Sequence, residues 1–111
     1  MEEETIMTHL LGNSPKVKVL DLLSTGRELE YCISDMAEHA GVGRASIYRM
    51  LDKMLKDKIL VKKRKLGRIQ LYQLNMNNPE VKILVNMFDA LSKIASEQEI
   101  ERQAIKVKAK S

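Results

Sequence analysis

Apolar positions recur every three or four residues along most of this chain, and that rhythm gives way to strict alternation in only two places. Ile6, Met7, Leu10 and Leu11 have helical spacing and stop at Gly12-Asn13. Ser14-Pro15 then supplies an N-cap with proline at the first helical position. Val17, Val19, Leu20, Leu22 and Leu23 are the apolar side of the helix that follows, and Gly26 ends it. Leu29, Tyr31 and Ile33 alternate with Glu28, Glu30 and Cys32, which predicts a short strand. Ser34 is placed to cap a helix from Asp35 to about Ala40, with Asp35 and Glu38 near its positive end. After the turn Gly41-Val42-Gly43, a helix from about Arg44 to Asp57 is predicted by Ile47, Met50, Leu51, Met54 and Leu55. Period two returns in Ile59-Leu60-Val61 and in Ile69 to Leu74, on either side of Lys62 to Arg68. That pattern predicts a β-hairpin turned at Leu66-Gly67, with Arg68 starting the return strand. Asn78-Pro79 opens a last long helix to about residue 100, and Glu101 to Ser111 is expected to fray.

A chain of 111 residues holds one domain with one small core, built here from Leu, Ile, Val and Met because it has no Trp and a single Phe. The expected class is mainly α with a small β-hairpin (α+β). It divides into a short N-terminal arm (1–13), a compact unit (14–76), a long helix (77–100) and a tail (101–111). No apolar run approaches the ~20 residues that span a bilayer, so no membrane partner is expected. The acidic start Met1-Glu2-Glu3-Glu4 has the wrong sign for a leader, and one Cys excludes an internal disulfide, so a cytoplasmic protein is expected.

Charge sharpens the picture. Residues 1–43 carry three Lys/Arg against eight Asp/Glu, a net of −5, whereas residues 44–73 carry ten against two, a net of +8. Five of the seven residues Lys62 to Arg68 are basic. Burial gains nothing from such a tip, and a basic block inside a neutral-to-acidic chain is the electrostatic footprint of a nucleic-acid binder. A Lys-rich hairpin that resists edge-to-edge aggregation accounts for a charge or two, but not for five.

With Ile47 and Leu51 facing inward, helical geometry exposes Arg44, Ala45, Ser46, Tyr48, Arg49 and Lys53. Arg49 suits a bidentate contact to guanine, Ser46 and Tyr48 a base edge or a phosphate, and Arg44, at the helix start, a phosphate. Lys62, Lys63, Arg64 and Lys65 suit phosphates, and Arg68 an adjacent minor groove. The bland alternative for each is a solvated surface position, and for Tyr48 partial packing against the hairpin.

From Pro15 to Leu74 the chain resembles winged helix-turn-helix transcription regulators of the MarR-like and ArsR-like kind. The resemblance rests on Ile33-Ser34-Asp35-Met36-Ala37-Glu38, Gly41 to Leu51, Lys58-Ile59-Leu60-Val61, and Gly67-Arg68 leading to Tyr72-Gln73-Leu74. It implies a recognition helix in the major groove, a β-wing, and double-stranded DNA as partner. Gly43 stands where such proteins usually carry a capping Ser, Thr or Asn. ArsR-like repressors often sense metals through a Cys-x-Cys pair; here that segment reads Cys32-Ile33-Ser34, leaving one thiol, with only His9 and His39 as further soft ligands. No metal and no cofactor are therefore expected. Cys32 reads as a small, largely buried apolar residue, with a redox sensor as the alternative.

In the last helix Val81, Ile83, Leu84, Val85, Met87, Phe88, Ala90, Leu91, Ile94 and Ala95 cover about 220° of the wheel, twice what one core needs. Val81, Leu84, Phe88, Leu91 and Ala95 follow a 3-4 alternation, and with Val85 they are the expected face of a homodimer. The alternative is that the N-terminal helix of the same chain covers one side. No phosphate loop, carboxylate pair, Cys–His arrangement or metal set points to an enzyme. A dimeric repressor, a segregation or chromatin-like DNA-binding protein, and a winged helix used for protein–protein contact are the three readings these residues leave open.

Overall fold

Thr5 opens the first helix, α1 (Ile6–Leu11), through a reciprocal pair: Thr5 Oγ1 accepts from the Thr8 N–H at 3.1 Å, and Thr8 Oγ1 accepts from the Thr5 N–H at 2.9 Å. In this computed structural model the backbone of residues 4–110 and the side chains of residues 4–99 are described. Helix α2 (Pro15–Thr25) starts at Ser14, whose Oγ accepts from the Val17 N–H at 3.3 Å. It ends at Gly26, where any Cβ would overlap the Tyr31 hydroxyl.

The strand expected around Tyr31 is reduced to one bridge. Tyr31 and Tyr72 exchange two backbone hydrogen bonds of 2.8 Å, and the chain turns helical at Ile33. Helix α3 (Ile33–Ala40) thus begins before Ser34, with Cys32 at the cap and Asp35 Oδ2 accepting from the Cys32 N–H at 3.5 Å. Asp35 competes successfully because it sits at the third helical position, from which a carboxylate reaches back to the cap. Alternation over five residues could not outweigh the helical pair Met36 and Ala37, both buried.

Gly41 adopts the left-handed conformation (φ +69°), letting the Val42 N–H reach the Ala37 carbonyl at 3.0 Å and the Gly41 N–H that of Glu38 at 3.3 Å. This closes α3 and turns the chain into α4 (Arg44–Lys56). Lys58 repeats the device at the far end of α4 with φ +59°, an uncommon conformation for a residue with a Cβ. Asn75 Nδ2 and Asn78 Nδ2 both donate to its carbonyl, at 2.9 and 3.1 Å. Strands β1 (Leu60–Leu66) and β2 (Ile69–Leu74) pair antiparallel, Leu60 opposite Leu74 and Leu66 opposite Ile69. Asn78 Oδ1 then accepts from the Glu80 N–H at 2.9 Å and opens α5 (Pro79–Lys110).

One core joins these elements. Val19 and Leu23 of α2, Met36 of α3, Ile47 and Met54 of α4, and Leu60 and Leu74 of the hairpin are all buried together. Val81 and Val85 of α5 join them, at 2% and 1% exposure. These two were expected at a dimer face, and the protomer's own core takes them instead. Helix α1 also lies on α5, with Met7 buried. The helix expected to end near residue 100 continues to Lys110, and the fraying expected of Ser111 lies outside the described residues. Its 32 residues extend about 48 Å, beyond the 31 and 25 Å cross-section of the molecule.

Arg27, just past α2, anchors α5. It donates through both terminal nitrogens to Asp89, at 2.9 and 2.5 Å, and through Nε to the Ser24 carbonyl at 3.0 Å. The hydrogen bonds from Arg27 hold the Asp89 carboxyl below its ordinary value of 3.8. A depressed carboxylate contributes stability above its unfolded value and loses it as pH falls through the folded one. Asp89→Asn is therefore expected to melt at a lower temperature than the native chain near neutrality, with the two curves converging as pH drops below about 4. Asp89 is half exposed, so the difference is small and shrinks in high salt. A gap independent of pH, in thermal melts from neutrality to acid, contradicts this account.

Candidate nucleic-acid interface

The apolar side of α4 is fixed by Ile47, Leu51 and Met54, which are buried. A 13-residue helix held so firmly on one side must present the other. Arg44, Ala45, Tyr48, Arg49, Asp52, Lys53 and Lys56 are exposed, Tyr48 by 60%. Ser46 is half-buried, and its Oγ accepts from Arg49 Nη2 at 3.4 Å. Lys53 pairs with Asp57, one turn on, at 3.1 Å. Gly43 provides no side-chain acceptor, so the first amide groups of α4 face outward at the helix's positive end. A phosphate oxygen is the kind of group such an end accepts.

The hairpin turns one residue later than its sequence suggests. Leu66 still belongs to β1 and pairs with Ile69, so Gly67-Arg68 is the two-residue loop, with Gly67 at φ +62°. Positive φ at the first loop position matches the right-handed twist of the strands, and glycine adopts it freely. Between Lys62 and Lys65 the register shifts by one, so that Lys63 and Arg64 together oppose Leu71. This bulge is tied by Gln70, whose Nε2 donates to the carbonyl of Lys63 at 2.7 Å and to that of Leu71 at 2.9 Å. Lys62, Lys63, Lys65 and Arg68 are exposed. Arg64 has its Nε 3.6 Å from Glu30 Oε1, in front of α3. A bulge bends its strand and re-aims a side chain, and here that side chain is Arg64.

Between α4 and the hairpin runs a cleft of about 270 Å³. Tyr48 lines it from α4, Arg68 and Ile69 from the hairpin, and Cys32 and Ser34 from the start of α3.

No family model matches this chain, and no curated protein matches it. Solved structures do. A MarR-family transcriptional regulator from Silicibacter pomeroyi superposes with a TM-score of 0.58 at 19% identity, over 93% of this chain and 72% of that one. Reduced HlyU from Vibrio cholerae gives 0.56 at 14%, over 78% of this chain and 84% of that one. Sso10a-2, a DNA-binding protein from Sulfolobus solfataricus, gives 0.50 at 16%, over 80% and 90%. The helices with a small two-stranded antiparallel wing match the winged-helix architecture of these neighbours. The fold is a winged helix. At such identities the likeness establishes the fold, and the function is argued from the residues.

Seen as a winged helix, the chain brings Tyr48 of the recognition helix and Arg68 of the wing to one cleft, with Arg49 on the adjoining exposed face. Arg64 is exposed on the same hairpin but has Glu30 as a carboxylate partner. Asp52 and Lys56 share the exposed face of the recognition helix and were not singled out from the sequence. The 3.6-residue period places both there, so the signal was present. Glu30 and Gln70 had no such signal, because their partners are set by the bulge. Cys32 is half-buried at the cleft wall, and His9 lies 3.6 Å from Glu4 and does not line the cleft. Among the described residues no three His, Cys, Asp or Glu side chains stand close enough to hold a metal ion. No helix among them is long and apolar enough to cross a membrane.

Proposed function

We propose that this winged helix is a sequence-specific, double-stranded-DNA-binding transcription regulator, a cytoplasmic homodimer that represses by occupying a promoter. The carrying observation is that Tyr48 and Arg68 line one cleft, with Arg49 exposed beside it and Lys62, Lys63 and Lys65 on the same hairpin. The recognition helix lies in the major groove, Arg49 reading guanine and Arg44 with the open helix start holding phosphate. Lys53 and the wing lysines neutralise phosphates, and Arg68 enters the minor groove. Residues 14–76 are the DNA-binding unit and α5 is the dimerisation helix. Neither metal nor cofactor takes part, and no reaction is catalysed.

The dimer reading rests on what α5 leaves uncovered. Leu84, Phe88, Leu91 and Ala95 are half-buried against the protomer. Beside them, on the side opposite the buried Val81 and Val85, Ile83, Met87, Ala90 and Ile94, spaced four, three and four, form an exposed stripe, with Ile83 at 69%. A helix this long is marginal without packing along its length, and a twofold partner supplies a second apolar stripe. Ile83→Asp with Met87→Asp is expected to convert a dimer to a monomer by light scattering at tens of micromolar, the monomer still unfolding in one cooperative transition at a temperature lowered by loss of the partner. A native chain already monomeric at that concentration defeats the dimer reading.

Fluorescence anisotropy with genomic-fragment and random duplexes across a salt series tests the function. Steeply salt-dependent binding with a wide spread of affinities among fragments supports a regulator. Uniform affinities with cooperative spreading favour the architectural alternative, which the same basic surface would serve. Absence of duplex binding at low salt removes both and leaves a protein-contact module.

A further inference from the structure

The wing tip is cationic, and it is also apolar. Leu66 and Ile69 flank the Gly67-Arg68 loop as direct cross-strand partners, and both are half exposed, at 52% and 53%. Directly opposed residues of a ladder project from the same face. Ile69 and Arg68 line the same cleft as Tyr48, so the tip that carries the pair adjoins the surface proposed above for DNA. Two aliphatic side chains left in water at the end of a hairpin forgo the burial that places Leu60, Leu71 and Leu74 inside at its base. Lys65 and Arg68 are their immediate neighbours, both exposed, so whatever receives the pair is apolar within and negatively charged at its edges. A DNA minor groove opened at a base step has that chemistry: stacked base faces between two rows of phosphates.

We propose that Leu66 and Ile69 form an apolar wedge that enters the minor groove beside Arg68 and partly unstacks a base step, bending the duplex. This rests on the DNA-binding reading and adds to it a mode of sequence choice. Arg68 alone favours the narrow, strongly negative minor groove of a stiff A-tract, whereas a wedge favours the easily unstacked TA step. The two demands have opposite signs, which makes the wedge measurable. The wing is suited to the task mechanically, since Gln70 ties the bulge below the tip and the Tyr31–Tyr72 bridge pins the base of β2.

The test uses the full chain and two duplexes of equal length with G·C ends, one an alternating TA repeat and one an A-tract. Both contain only A·T pairs in the centre and display the same minor-groove acceptors, so as seen from the wing they differ in groove width and deformability, and the double variant controls for what α4 reads in the major groove. The native chain is expected to bind the alternating duplex about tenfold more tightly, and to raise the emission of 2-aminopurine placed in its TA steps. Leu66→Ser with Ile69→Ser, both at exposed positions, is expected to keep the salt slope, lose the emission change and shift preference to the A-tract. If the native chain binds both duplexes with no emission change, or the double variant keeps it, the wedge is overturned while the DNA-binding reading stands. If the native chain binds neither duplex even at low salt, both fall together.

Discussion

Replacing Arg49 and Arg68 together by alanine is expected to weaken duplex DNA binding by about 10²- to 10³-fold. One side chain is exposed on the recognition helix and the other lines the cleft from the wing loop. A bidentate arginine–guanine contact discriminates by about 1–3 kcal/mol, and each phosphate contact adds about 0.9 to the slope of log affinity against log salt. The two replacements therefore have separable signatures. Arg49→Ala flattens the differences among sequences that differ in guanine content, whereas Arg68→Ala weakens binding most on duplexes whose minor groove is narrow and strongly negative. Neither arginine has a protein carboxylate as an ion-pair partner among the described residues, so folding stability is expected to move little. Anisotropy titrations of the native chain and three variants across a salt series, with thermal melts alongside, check all of this. Unchanged DNA affinity in the double variant would remove the recognition helix and wing from the interface.

Arg64 is expected to behave differently from its neighbours. Its pairing with Glu30 engages a charge that the sequence had assigned to phosphate. The same titrations with Arg64→Ala should therefore show a smaller loss than Arg68→Ala.

Ile47→Ala is expected to destabilise the domain by about 2–5 kcal/mol, and Tyr48→Ala, one residue on, by about 0.5 kcal/mol or less. Ile47 is 2% exposed in the common core, and Tyr48 is 60% exposed at the cleft. Total stability for a domain of this size is about 5–15 kcal/mol, so the first change removes a large share of it. For Tyr48→Ala the loss should appear in DNA affinity. Denaturant unfolding and DNA titration of the two single variants make a crossed comparison. Equal stability losses would mean that α4 is rotated from the orientation described here.

The outcome at Val81 and Val85 shows where a one-dimensional pattern stops being informative. The periodicity of α5 correctly implied two apolar sides, because 3.6 residues per turn is a local property of the helix. Which side met the protomer depended on where α1 and α2 lie, and that depends on contacts distant in sequence. The core took Val81 and Val85, and the uncovered stripe became Ile83, Met87, Ala90 and Ile94. Likewise, Leu29 to Ile33 alternate as a strand does, but only Tyr31 found a partner in β2.

By itself the sequence determined the helices, the caps at Ser14 and Asn78, the glycine turn at Gly41, the hairpin and the basic block from Arg44 to Arg68. These are consequences of side-chain spacing, cap chemistry and formal charge, which act over a few residues. Only the tertiary structure decided that Arg64 turns to Glu30, that the loop is Gly67-Arg68, and that Leu66 and Ile69 stand paired and exposed on either side of it. Each depends on strand register, and a single bulge at Lys63-Arg64 shifts that register by one residue. In a ladder where successive side chains alternate faces, a shift of one residue decides which of them meets the groove.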